Sequence, residues 1–149
     1  MSGQVLIVVL LGLIASIEDL WRRNISNWIP ACALAAGFAW QFSQRGWSGL
    51  GSAAAGAAAG FAVFLVFYLL GGMGGGDVKL MAGFGAVIGV GRLLEAAVWT
   101  AIIGALLAVA VIAVHALRKF ANKEHKGPPA AIPYAPAITA GVWLSLVPR

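Results

Sequence analysis

From Gly3 to Leu117 the chain is a succession of continuous apolar runs rich in Ala, Leu and Gly, interrupted only by short polar or glycine-rich turns. Of 149 residues, 61% are apolar and 10% are charged. A soluble domain of this size needs a polar shell that such a composition does not supply. Lipid accepts the surplus apolar surface, but it obliges the backbone to satisfy its own hydrogen bonds, which leaves helices or a closed barrel. A barrel strand alternates apolar and polar residues over about ten positions, and no such alternation occurs here. The expected fold is therefore all-α, a polytopic bundle of about six transmembrane helices forming one domain over residues 1–149.

The runs place helices at about Gly3–Leu20, Asn27–Phe42, Leu50–Leu70, Val78–Val90, Leu93–Leu117 and Ile132–Val147. Pro30 falls in the first turn of the second, where its missing N–H costs little. The first run has no Lys or Arg ahead of it and no A-x-A cleavage site after it, so it reads as a retained helix rather than a signal peptide. Ser43–Gly49 reads as a polar turn. Gly56-x-x-x-Gly60 and Gly85-x-x-x-Gly89 read as close helix contacts within the bundle.

The net charge is +5, yet the basic residues sit between apolar runs and form no stripe with interleaved aromatics, so no nucleic-acid partner is expected. The turns after the first, third and fifth helices hold Arg22, Arg23, Lys79, Arg118, Lys119, Lys123 and Lys126; the opposite side holds Arg45, Arg92 and Arg149. That bias puts the first set in the cytoplasm and both termini outside. Cys32 is the single cysteine, and the two histidines, His115 and His125, have no ligand spacing, so neither a metal nor another cofactor is expected.

Acids at a membrane are costly, and there are five: Glu18, Asp19, Asp77, Glu95 and Glu124. Glu124 falls in a basic loop, and Glu95 lies three residues after Arg92, where a local ion pair accounts for it. Asp19 closes the first helix and Asp77 opens the fourth, so the alternating topology puts both at one depth on the cytoplasmic side. That placement meets the precondition for an aspartyl dyad, in which an ionised acid takes a proton from water and a neutral one polarises the scissile carbonyl. Taken singly, Asp19 is explained by an ion pair with Arg22 or Arg23, and Asp77 by the dipole at a helix start. Together, beside a glycine loop, they are harder to explain away.

The loop is Gly71-Gly72-Met73-Gly74-Gly75-Gly76-Asp77. It lacks the ending of a phosphate-binding loop and follows no strand. Its glycines let another backbone approach Asp77 closely, as a peptide substrate must.

Gly74-Gly75-Gly76-Asp77-Val78-Lys79-Leu80 resembles the G-x-G-D-x-K-L motif of prepilin peptidases, membrane aspartyl proteases of the GxGD type. Asp19-Leu20-Trp21-Arg22-Arg23-Asn24-Ile25-Ser26-Asn27 resembles their other signature, an Asp followed by basic residues and Ile-Pro-Asn, with Ser26 where the family usually has proline. Ile132-Pro133-Tyr134-Ala135-Pro136 resembles the proline-containing start of their last helix. The resemblance implies removal of the basic leader from type IV prepilin or pseudopilin precursors at the cytoplasmic face, with Asp19 and Asp77 catalytic. Gly74, Gly75 and Gly76 then read as an active-site loop, and the positions of Lys79, Arg22 and Arg23 suit contacts to substrate or lipid phosphates. Larger members also methylate the new amino terminus through an extra cytoplasmic segment, often with paired cysteines. Residues 1–149 show neither, and resemble the compact form of tight-adherence (Flp) pilus systems, expected to cut without methylating.

Two other readings compete. Gly46-Trp47-Ser48-Gly49 matches the G-x-S-G of rhomboid serine proteases, with His115 as a base, but the topology separates Ser48 from His115 by about a membrane thickness, on the order of 30 Å. A small ion- or proton-coupled transporter or assembly subunit would use the same two acids, although transporters hold such groups near the midplane.

Overall fold

A computed structural model describes residues 3–121 and 132–147, and those residues contain helices and no strand. The elements are α1 (Gly3–Arg22), α2 (Trp28–Leu69), α3 (Gly75–Ile88), α4 (Val90–Ala121) and α5 (Ala135–Ser145). Helices Gly3–Arg22 and Trp28–Leu69 and the stretch Val90–Leu117 are long and apolar enough to cross a membrane. Leu6, Leu10, Leu13, Ile17 and Leu20 all face outward from α1. An outer surface of leucine and isoleucine is stable against acyl chains and not against water. The protein is an integral membrane protein with an all-helical core.

The expected second and third helices both form, and α2 is the two of them joined at a single residue where the chain reverses. Gly46 takes φ 57° and ψ −136° inside α2, a conformation that favours glycine. The polar residues around it remain helical because their hydroxyls bond back along the chain: Ser43 Oγ donates to Trp40 O at 2.7 Å and Ser48 Oγ to Arg45 O at 2.8 Å. The Ser43–Gly49 turn is thus contracted to Gly46, leaving two arms, 28–45 and 47–69.

Both arms clasp α3. Along the first arm, Gly83 of α3 faces Ala33 and the Pro30 carbonyl, and Gly37 faces Ala86 and Val87, so this arm runs parallel to α3. Along the second, Gly56 meets Gly85, and Gly60 meets the Met81 carbonyl, so it runs antiparallel. A Cβ at Gly56 or Gly85 would strike the other's carbonyl oxygen. The two glycine pairs therefore act within the bundle, as their spacing suggests. Nearly all of α3 is buried, including Leu80, Met81, Phe84 and Val87.

Helix α1 buries Val8, Gly12, Ala15 and Asp19, one stripe at helical spacing. Its partner on that face is α5, where Thr139 Oγ1 donates to Gly12 O at 3.2 Å. Helix α4 packs on α5 through Thr100 against Gly141 and Gly104 against Tyr134. The sequence boundary at Leu117 underestimates α4, which continues to Ala121. Of the polar loop read as Arg118–Pro129, residues 122–129 lie outside the described residues, and Lys123, Glu124, His125 and Lys126 with them.

Candidate active site

One end of the bundle gathers the C-terminus of α1, the turn 23–27, and the N-termini of α3 and α5. Asp19 lies on the buried stripe of α1, and Asp77 occupies the first turn of α3; they are 8% and 6% exposed. They stand within electrostatic reach of each other. Two elements nearly sixty residues apart in sequence thus bring their carboxylates to one place.

Each carboxylate is held by a backbone donor from another turn or its own cap. The Ala135 N–H donates to Asp19 Oδ2 at 3.1 Å. That amide belongs to the first turn of α5, where helical N–H groups have no internal partner. The Gly74 N–H donates to Asp77 Oδ2 at 3.1 Å. Gly74 caps α3 and Asp77 is its third helical residue, so the acid reaches back to the cap as glutamate does in a capping box. Asp77 Oδ1 is buried with no hydrogen-bond partner among the described residues. An unpaired buried carboxylate oxygen is costly to retain for structure alone.

Arg23 lies within electrostatic reach of Asp19, without a direct ion pair to it. Among the described residues neither Arg22 nor Arg23 bonds its carboxylate, and both are exposed. Arg23 adopts φ 50°, and its N–H donates to Asp19 O at 2.9 Å, ending α1 there. Gly74 lies against Asp77, Gly75 faces the Tyr68 ring, and Gly76 admits Ile25, whose Cβ would be 3.1 Å from a Cβ at that position. Lys79 is exposed and its Nζ donates to Asn27 Oδ1 at 2.9 Å.

Glu18 and Ser26 carry no sign in the sequence of the contact they make. The Ser26 N–H donates to Glu18 Oε2 at 2.9 Å, and Ser26 Oγ to Glu18 Oε1 at 3.0 Å. A proline at position 26 has no N–H to give. Ala135 was legible only as part of a proline-containing helix start. Tyr134 and Met73, the chain neighbours of the two backbone donors, line one cavity of about 390 Å³ with Phe64, Phe67, Thr100 and Gly104. Its walls are almost wholly apolar.

Ser48 and His115 are not brought together. Ser48 sits by the reversal at Gly46, and α4 starts at that same end, where Gly89 meets Ser52 and Gln41. His115 is 25 residues further along α4 than Val90, about 38 Å at a helical rise. Its Nδ1 lies 3.1 Å from Val111 O. No group of three or more His, Cys, Asp or Glu suited to a metal occurs among the described residues.

Comparison with known proteins agrees with the motifs. Residues 6–109 match the type IV leader peptidase family. Over 92 residues the chain is 42% identical to the prepilin leader peptidase/N-methyltransferase of Bacillus subtilis (strain 168). That alignment takes in 60% of this chain and 34% of the relative, so the chain matches about a third of the relative's length. No solved structure matches. The family match covers both aspartates and the glycine loop between the second arm and α3, and by that match the chain belongs to the type IV leader peptidase family.

Proposed function

We propose that the protein is a membrane aspartyl endopeptidase that removes the basic leader from a type IV prepilin or pseudopilin precursor. Asp19 and Asp77 form the dyad. The observation that carries this reading is the pairing of two buried carboxylates at one end of the bundle, one with an oxygen that no group among the described residues satisfies. Like charges so placed favour a single shared proton. The ionised acid accepts a proton from water as its oxygen adds to the scissile carbonyl carbon, while the neutral acid donates a hydrogen bond to the carbonyl oxygen. A proton then passes to the leaving nitrogen as the C–N bond breaks. No cofactor enters the scheme.

The glycine loop Gly74–Gly76 gives a peptide backbone room beside Asp77, and the adjoining apolar cavity suits apolar residues next to the scissile bond. Arg22, Arg23 and Lys79 share the dyad end, whereas Arg45 and Arg92 belong to the other, where Arg92 Nη1 donates to Ser145 O at 3.2 Å. That asymmetry supports a dyad at the cytoplasmic side of the bacterial inner membrane, with Arg22 and Arg23 near lipid phosphates or substrate. Residues 1–149 act as one peptidase unit.

Co-expression with a prepilin-like precursor, read by intact mass, tests this. Wild type should release the leader. Asp19→Asn and Asp77→Asn should insert normally and leave the precursor whole. Near-normal cleavage by either variant refutes the dyad.

A further inference from the structure

The two carboxylates come from elements joined only through the 42-residue α2 and its flanking turns, and each lies within one turn of a helix end. Helix ends fray, so their separation needs a restraint beyond helix packing. A run of hydrogen bonds supplies one. Glu18, the residue before Asp19, is gripped by the Ser26 N–H and hydroxyl at 2.9 and 3.0 Å. Asn27 follows Ser26, and its Oδ1 accepts from Lys79 Nζ at 2.9 Å. Lys79 is two residues from Asp77. Between these bonds the Ile25 side chain is buried against Gly76. The path from Asp19 to Asp77 is thus closed by charge-assisted bonds, spanning 8 and 52 residues of sequence.

We propose that Glu18–Ser26 and Asn27–Lys79 form a strut that sets the distance between Asp19 and Asp77, with Lys79 and Glu18 as positioning residues. The inference rests on the dyad reading. An exposed ammonium–amide bond adds little to stability. Its leverage is geometric, because a misplacement of about 1 Å at reacting groups costs on the order of a hundredfold in rate. The strut therefore predicts a large effect on turnover with a small one on folding. A lysine that touched substrate would instead act on KM, and one that held lipid phosphate would act through the bilayer.

The test is a double-mutant cycle on the full chain in detergent and in vesicles with and without anionic lipid, using a purified precursor. Lys79→Met and Asn27→Ala should each lower kcat by about ten- to a hundredfold, with KM within roughly twofold and the thermal midpoint nearly unmoved. The double variant should be no worse than the poorer single one. Lys79→Arg and Asn27→Asp, which keep a donor and an acceptor, should recover most of the rate, which also guards against a misfolded single variant. Additive losses, losses confined to KM, or losses seen only with anionic lipid overturn the strut. Asp19→Asn and Asp77→Asn in the same assay separate the two ideas. If both are inactive while the cycle is additive, the strut alone fails; if either is active, the dyad fails and takes the strut with it.

Discussion

The two ends of the bundle are both closed by buried polar groups, but on different terms. At the end away from the aspartates, Gln41 is 4% exposed and its Nε2 donates to Val87 O at 3.0 Å, and Gln4 Nε2 donates to the same oxygen at 3.0 Å. Val87 lies in the last turn of α3, where carbonyls lack internal partners, and two neutral amides satisfy it. At the aspartate end the buried groups are carboxylates, and one oxygen of Asp77 has no partner among the described residues. On the proposed reading, the first end serves stability and the second keeps a reactive group poised, at a cost to stability.

The sharpest way to break this contrast is to exchange the two kinds of loss. Asp77→Asn should reduce leader removal by roughly a thousandfold or more, while thermal stability stays level or rises, because an unpaired buried carboxylate is replaced by a neutral amide. Gln41→Leu should leave cleavage near wild type and cost about 1–2 kcal/mol, since the Val87 carbonyl loses one of its two donors. A destabilised Asp77→Asn protein would mean that the acid serves the fold. Cleavage rates and thermal midpoints of the two variants, measured side by side in one detergent, decide between these.

A packing substitution between the ends should behave as neither. Gly56→Leu drives a side chain into the Gly85 backbone and should cost on the order of 3 kcal/mol, lowering expression and melting temperature before any specific effect on turnover. The smallest expected change is at Ser26→Ala, which keeps the N–H bond to Glu18 and loses the hydroxyl bond. A drop of about two- to fivefold in kcat with unaltered KM would sharpen the view that this turn adjusts geometry. A tenfold rise in KM would place Ser26 against substrate instead.

Much of the molecule was legible in the chain because local signals carry it. Apolar runs placed the helices, and the glycine pairs at Gly56 and Gly85 marked where backbones touch. The two aspartates stood out because a membrane chain has so few acids. What stayed hidden was long-range or conformational. Serines near residue 46 suggest a loop to any reading by polarity, yet Ser43 and Ser48 spend their hydroxyls on helical carbonyls and only Gly46 departs from helix. Helix α3 begins at Gly75 rather than Val78, since glycines hide a helical first turn, and this puts Asp77 at a capping position. The Ala135 amide on Asp19 spans 116 residues and comes from a main-chain group with no side-chain signature. The Lys79–Asn27 and Glu18–Ser26 bonds likewise join motif residues that carry no local sign of pairing.

The central claim is that Asp19 and Asp77 work as one unit, and the most direct test compares initial cleavage rates of Asp19→Asn, Asp77→Asn and the double variant on one purified precursor. Residues that act together lose their function together. The account predicts that all three fall to the same residual rate, within about a factor of three. Losses that multiply from the single variants to the double one would contradict it, because each acid would then be making a separate contribution.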